Sequence, residues 1–330
     1  AGRGKPGADV LRQALGRCAA ERRDGLSVAR KTKRRKNEDV ATEARTKTAR
    51  GLQRGHSPRR PLTARTADRF ELYQKSVQSP DVDVQFMSRL FRRLAGRPLR
   101  LLKEDFCGTA LLSCEFVKLH RMNRAVGVDL CGETLDWGRR HNLKGLSDHQ
   151  RARVRLIQGD VRKVRRPRVD LVNAMNFSYC VFKTRRDLLE YVRGARRSLL
   201  PGGLLLLDVY GGGQAMEEMQ EESRKGGFLY VWDQARFDPV THNTLCKIHF
   251  AFKDGTRLRN AFVYDWRLWT LPELQEIFRE AGLANVHVLW EGTDRKRNEG
   301  NGVYRRVEHA PADPSWIRLE RVWRRLSGGG

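Results

Sequence analysis

Residues 99–130 read LRLLKEDFCGTALLSCEFVKLHRMNRAVGVDL, and this stretch decides the fold. Leu99–Lys103 is a short apolar run closed by an acid, Glu104. Phe106-Cys107-Gly108-Thr109-Ala110 then makes a tight turn into an amphipathic stretch over Thr109–His120. A second apolar run, Ala125–Val128, ends on a second acid, Asp129. Strand, tight turn, helix, strand is one βαβ unit, whose two strands lie parallel in a sheet. Sheets of this kind hold ligands at the carboxyl ends of their strands. Glu104 and Asp129 stand at two such ends.

The turn itself narrows the ligand. A dinucleotide needs Gly-x-Gly-x-x-Gly, because its pyrophosphate lies against bare backbone at a helix N-terminus. Only Gly108 is present here, with Phe106 and Ala110 near the other turn positions. The loop therefore suits a nucleoside without a diphosphate. Asp129 follows Gly108 by 21 residues, the usual interval for a carboxylate that accepts from ribose hydroxyls. A third acid, Asp160, lies just past the run Val154–Gln158, in Gln158-Gly159-Asp160-Val161, and suits an exocyclic adenine amine. Glu104 suits an ammonium group, and the helix N-terminus after Thr109 a carboxylate. Adenine, ribose and amino acid together describe S-adenosylmethionine.

Working outward, the alternation continues. Apolar runs at Val169–Ala174 and Leu204–Val209 alternate with helical stretches at Gly132–Asn142 and Thr184–Ser198, the pattern of a doubly wound α/β sheet. Upstream, Ala67–Gln78 and Val84–Leu94 carry apolar residues at helical spacing. Downstream, Tyr230–Ala235, Thr244–Phe252 and Arg257–Asp265 predict three strands, the last two joined through Lys253-Asp254-Gly255. Residues 211–265 are expected to form a small antiparallel β insertion over the active site. Thr270 and Glu273 predict a capping box on a helix that stops near Gly282. Strands at Val286–Trp290 and Trp316–Val322 follow, separated by a polar loop rich in Arg, Gly and Asn.

Taken together, "EDFCGTALL" resembles the D-x-G-C-G-T-G motif of class I S-adenosylmethionine-dependent methyltransferases. "AVGVDL" looks like the motif that follows it, "LIQGDV" like their next, and "LLPGGLLLLDV" like the strand entered through Pro-Gly-Gly. The resemblance spans roughly Phe70–Val322 and looks closest to superfamily members with the same EDFCGTA variant. It implies a seven-stranded Rossmann-like sheet in the order 3-2-1-4-5-7-6, its last strand antiparallel. It also implies S-adenosyl-L-methionine as cofactor, with contacts at Glu104, Phe106, Cys107, Gly108, Thr109, Ala110, Asp129, Leu130, Asp160, Val161 and Met175.

The methyl acceptor is less constrained. Met175-Asn176-Phe177-Ser178-Tyr179 occupies the place of the Asn/Asp-Pro-Pro-Tyr/Phe motif of amino-methylating relatives but lacks Pro-Pro, which counts against adenine-N6 or glutamine methylation. Asn176, Asp208 and Tyr210 are the candidate catalytic residues; Tyr73, Tyr179, Trp232 and Trp266 are the candidate substrate contacts. Tyr230, Trp232, Trp266 and Trp269 either cover a planar substrate or form the insertion's own core. A small molecule is the expected acceptor. RNA or protein is the alternative, and a cofactor-binding assembly protein without turnover is the third reading.

Composition bears on that choice. The net charge is +26, and residues 1–65 hold 19 Lys+Arg against 6 Asp+Glu, so residues 1–66 are expected to be a basic, disordered arm with RNA as a possible partner. Arg outnumbers Lys 50 to 15, however, a bias that GC-rich coding produces without any partner. The arm has organelle-targeting character in its arginines, but Glu38, Asp39 and Glu43 fit poorly; the cytoplasm is the expected compartment and an organelle the alternative. No apolar run approaches the roughly 20 residues that span a bilayer. Cys18, Cys107, Cys114, Cys131, Cys180 and Cys246 form no C-x-x-C pair and no zinc spacing, so no metal is expected, and Cys107 and Cys131 read as packing. Nothing in the pattern sets the oligomeric state.

Overall fold

The computed structural model describes residues 62–294, 299–310 and 317–324, with backbone only at 293–294, 299–300 and 317–324. Residues 1–61, including most of the expected basic arm, lie outside the described residues.

The chain enters through helices α1 (Arg69–Val77) and α2 (Pro80–Ala95). Asp68 caps α1, accepting from the backbone of Phe70 and Glu71. Pro80 opens α2, Gly96 closes it in the left-handed conformation at φ 69°, and Val84, Met87, Leu90 and Phe91 form its buried stripe. The wound core follows: β1 (Leu101–Asp105), α3 (Leu111–Lys118), β2 (Arg124–Asp129), α4 (Gly132–His141), a single turn α5 (Asp148–Arg151), β3 (Val154–Gln158), β4 (Val169–Ala174), α6 (Arg185–Ser198) and β5 (Leu199–Gly211). β1 pairs in parallel with β2 and β4, β2 with β3, and β4 with β5. Leu204–Leu207 in β5 are completely buried, as a strand covered on both faces requires.

Four antiparallel strands follow as a separate sheet in the order β6 (Met219–Lys225), β7 (Phe228–Phe237), β8 (Asn243–Phe252) and β9 (Arg257–Arg267). Three of the four match the expected strands. β6 carries Met-Gln-Glu-Glu-Ser-Arg-Lys, with no apolar alternation, and is recruited by pairing with β7 along its whole length. The sheet's inner face, led by Phe228, Ile248, Phe250, Phe252 and Ala261, packs on Leu72 of α1. Helix α7 (Leu271–Glu280) carries the expected capping box, with Glu273 N–H donating to Thr270 Oγ1 and Thr270 N–H to Glu273 Oε2.

The chain then returns to the large sheet through β10 (Ala284–Asp294), β11 (Glu299–Val307) and β12 (Ile317–Arg324). The sheet order is β11-β10-β12-β5-β4-β1-β2-β3, with β12 antiparallel to both neighbours. The expected 3-2-1-4-5-7-6 order is present, with β12 in the seventh place and β10 in the sixth. One strand is added. The segment read as a polar loop contains β11, an edge strand that pairs antiparallel with β10 and keeps most of its side chains in solvent. Among the described residues, no helix is long and apolar enough to cross a membrane, and no cluster of three His, Cys, Asp or Glu groups is set to hold a metal.

Candidate active site

The turn between β1 and α3 keeps a glycine-loop backbone without the glycines. Phe106 and Ala110 both adopt φ 57°, and Gly108 between them φ 54°. A left-handed conformation costs a non-glycine residue roughly 1–2 kcal/mol. Packing offsets this cost: the Phe106 ring lies on Phe182 and Tyr191, and the Ala110 methyl is sealed against Cys107 and Leu135. Gly108 and Asp129 then meet directly, the Gly108 N–H donating to Asp129 Oδ2 at 2.8 Å. Cys131 N–H donates to the other oxygen, also at 2.8 Å. These two bonds fix the Asp129 carboxylate at the tip of β2.

Helix α4 is pressed onto this loop. A Cβ at Gly138 would lie 2.4 Å from the Thr109 carbonyl oxygen, and Asn142 Nδ2 donates to that same oxygen at 2.9 Å. Gly138→Ala is therefore expected to push α4 off the loop, at about 1–3 kcal/mol of stability. Thermal unfolding measures this directly. An unchanged midpoint would mean that α4 has room the geometry denies it.

A cavity of about 170 Å³ opens over these strand tips, lined by Glu104, Phe106, Cys107, Gly108, Thr109, Asp129 and Met175, together with Phe70 and Tyr73 from α1. Seven of the eleven expected cofactor residues thus converge. Glu104 Oε2 accepts from both the N–H and the hydroxyl of Ser113. Beside it in register on β4 is Asn173, 1% exposed, with neither its amide oxygen nor its nitrogen partnered among the described residues. Asn173 was not foreseen. Behind the tip, the Lys103 ammonium sits 2.7 Å from Asp105, fully buried, and Tyr191 donates to the other Asp105 oxygen at 3.3 Å.

Burial pushes the Glu104 carboxyl up to about 7, against the pull of the Ser113 hydrogen bonds; the Asp129 and Asp83 charges add to the rise. Below that pH the carboxyl is protonated and loses the charge that pairs with an ammonium group, which itself stays charged up to about pH 8. A ligand with such a group is expected to bind about tenfold more weakly per pH unit below pH 7. Calorimetric titration with S-adenosylhomocysteine across this range reads the slope, and Glu104→Gln should flatten it. A pH-independent affinity in the parent protein would place the ammonium elsewhere.

Ala110, Leu130, Asp160 and Val161 are not among the cavity's lining residues. Ala110 and Val161 are buried in packing. Asp160 is turned away: the Arg162 guanidinium donates to both its oxygens, through Nε at 3.1 Å to each and through Nη2 at 2.8 Å. With that pair formed, the carboxyl is held below its usual range despite partial burial, and its expected role with an adenine amine has a resident competitor.

A second cavity, of about 240 Å³, adjoins the first. Its walls are Phe177, Tyr210, Tyr230, Trp232, Tyr264 and Trp266, with Glu221 at one side. Tyr73, Asn176 and Tyr264 line both cavities and form the boundary between them. Burial pushes the Tyr73 phenol up to about 12. α1 is tied to both sides of this boundary, by Gln74 Nε2 on Thr109 Oγ1 at 2.7 Å and by Leu72 in the small sheet's core.

The remaining expected residues separate. Trp232, Trp266 and Tyr73 line the aromatic cavity, as does Tyr210. The Tyr210 hydroxyl donates to Gln234, and burial raises its phenol far out of reach of a general base. Asp208 is not a lining residue: it is 1% exposed and accepts the N–H groups of Asn176 and Phe177, each at 2.8 Å. Those two residues follow β4 in left-handed conformations at φ 57° and 58°. Asp208 therefore positions Asn176 and Phe177 rather than meeting substrate. Tyr179, expected at the rim, is buried in the core at 1% exposure, because the short helical turn Ser178–Val181 rotates it inward. Trp269 is likewise core, its Nε1 donating to the Phe182 carbonyl. Phe262, Tyr264 and Glu221 were missed; the alternation Phe262, Tyr264, Trp266 along β9 carried the signal for the first two.

Residues 105–207 match the family described as methyltransferase domain. Solved structures share the fold. A S-adenosylmethionine-dependent methyltransferase from Clostridium acetobutylicum is 15% identical, covering 78% of this chain and 98% of its own at TM-score 0.57. CalS10, an amino pentose methyltransferase from Micromonospora echinaspora solved with S-adenosylmethionine bound, is 18% identical, covering 78% and 96% at TM-score 0.57. DesVI from Streptomyces venezuelae is 20% identical with the same coverage and TM-score. A search of curated protein sequences gives no significant match.

Proposed function

We propose, on the premise that this chain carries a class I S-adenosylmethionine-dependent methyltransferase domain, that it methylates a small molecule seated in the aromatic cavity. The observation that carries this reading is the shared boundary: Tyr73, Asn176 and Tyr264 face a cofactor-type cavity on one side and an aromatic one on the other. Two compartments meeting at one neck are what transfer between two bound molecules requires.

The residues fit the cofactor. Asn173 leaves a buried amide unpaired at the cavity wall, a cost of about 1–3 kcal/mol that a polar ligand removes. Beside it, Glu104 has one oxygen outside the Ser113 hydrogen bonds. Acceptor carboxylate and amide together suit the ammonium and carboxylate of an amino acid. Asp129, fixed by Gly108 and Cys131, retains lone pairs for ribose hydroxyls. When bound, S-adenosylmethionine supplies a methyl group already made electrophilic by its sulfonium.

The chain's own contribution is then positioning and exclusion of water. Asp208 holds Asn176 and Phe177 in place, α1 spans the neck, and the aromatic rings exclude solvent from the acceptor side. No lining carboxylate or imidazole stands at the neck itself, in keeping with a reaction that needs a base only for a proton the nucleophile cannot otherwise lose. The structural neighbour named as an amino pentose methyltransferase acts on a small molecule, which supports the same class of acceptor here. An RNA acceptor would call for Lys or Arg against its phosphates, and the aromatic cavity's lining includes neither.

The test uses methyl-labelled S-adenosylmethionine with a cell extract separated into small-molecule, RNA and protein fractions. Label is expected in the small-molecule fraction. Label in RNA or protein, or in none of the three, overturns the proposal.

A further inference from the structure

The chemistry of the aromatic cavity goes further than its size. Beyond residue 65 the chain has 46 Lys and Arg against 33 Asp and Glu, and another hollow on the small sheet is lined by Lys247, His249, Arg257 and Arg259. The cavity beside Asn176 is the reverse. Phe177, Tyr210, Tyr230, Trp232, Tyr264 and Trp266 present ring after ring, no Lys, Arg or His belongs to its lining, and its one ionisable carboxyl is Glu221.

Glu221 stands on β6 directly opposite Trp232 of β7, so the two side chains project to the same face. Burial raises the phenols of Tyr210 and Tyr230, and the Glu221 charge adds to both shifts from its place in the cavity lining. Its side chain is exposed to solvent where it borders the cavity, and the partial desolvation there still raises its carboxyl. Ring faces carry negative quadrupole density and attract cations, as carboxylates do; both repel anions. A neutral aromatic ligand would gain from the rings but would leave Glu221 desolvated without compensation.

We propose that the acceptor is an amine, bound in its cationic form between Glu221 and the rings of Tyr230 and Trp232. This rests on the small-molecule reading above and deepens it by naming the reacting group. Binding of the cation precedes chemistry. The nitrogen sheds a proton to solvent on the side where Glu221 is exposed, its freed lone pair forms the new N–CH3 bond, and the electron pair of the broken C–S bond stays on sulfur. Anionic metabolites, phosphate esters and carboxylic acids among them, are excluded by the same surface.

The experiment compares three probes of one shape, phenethylamine, 2-phenylethanol and phenylacetate, by quenching of tryptophan fluorescence, with and without saturating S-adenosylhomocysteine. Phenethylamine is expected to bind at least about tenfold more tightly than the alcohol, and phenylacetate most weakly. Glu221→Gln should bring amine and alcohol within about threefold, while melting at the parent temperature shows that the variant is folded. Equal binding of amine and alcohol, preference for the acid, a preference that survives Glu221→Gln, or no binding of the amine would each overturn the proposal. Failure of S-adenosylhomocysteine to bind would instead strike the methyltransferase reading, since the amine preference is also read without it.

Discussion

Asp129→Ala is expected to weaken binding of S-adenosylhomocysteine by about 10- to 100-fold, the largest effect on the cofactor that one side chain should produce. The carboxylate does two jobs. It accepts the Gly108 and Cys131 N–H groups, and its remaining lone pairs face the cavity. Alanine removes the ligand's acceptor and releases the loop that carries Gly108. Asp129→Asn separates the two roles, because the amide retains one acceptor oxygen and turns a donor toward one of the two N–H groups. It should fall between parent and alanine. Calorimetry measures both, and parent-like affinity in Asp129→Ala would show that the ribose is held elsewhere.

The second large effect belongs to Asp208. Its two bonds to the N–H groups of Asn176 and Phe177 are charge-assisted and buried, and such bonds contribute about 1.5–3 kcal/mol each. Asp208→Ala leaves both N–H groups without that acceptor, and the left-handed backbone there keeps the Phe177 ring contacts with Tyr210 and Trp266 but loses its charged anchor. A loss of about 3 kcal/mol is expected, which for a domain of this size lowers the melting temperature by about 6–12 °C. Amide exchange at Asn176 and Phe177 should accelerate sharply. Were Asp208 instead a base acting on substrate, the alanine variant would keep its stability and exchange protection and lose turnover alone.

How much of this was legible beforehand depends on the kind of signal. Apolar runs ended by an acid, such as Leu99–Glu104 and Ala125–Asp129, announce buried parallel strands because burial on both faces leaves no freedom of composition. β6 and β11 carry no such mark: Met219–Lys225 and Glu299–Val307 are polar segments that become strands only because a neighbour offers unpaired N–H and C=O groups. The loop at 106–110 was legible in position but not in conformation. Phe106 and Ala110 avoid the left-handed region on their own, and only tertiary packing keeps them there.

The site shows the same division. Glu104 and Asp129 line the cavity where strand ends alone would put them. Asp160 sits at a third strand end, but Arg162 two residues later takes its carboxylate, a local competition that strand-end spacing does not register. Asn173 was hidden in plain view: a polar residue inside the apolar run Val169–Ala174 is costly unless something pairs with it, and nothing among the described residues does. Aromatic spacing along β7 and β9 suggested either a core or a binding wall. The structure divides the tryptophans between the two, Trp232 and Trp266 lining the cavity and Trp269 filling the core.

Glu104 and Asn173 are proposed to hold the amino-acid end of a sulfur-bearing adenosine ligand. That role is tested most directly by titrating the protein with S-adenosylhomocysteine and with 5′-methylthioadenosine, which lacks that end. The first should bind one per chain and at least about tenfold more tightly than the second, with the difference lost in Asn173→Ala. Equal affinities, or no binding of S-adenosylhomocysteine at all, would contradict the account.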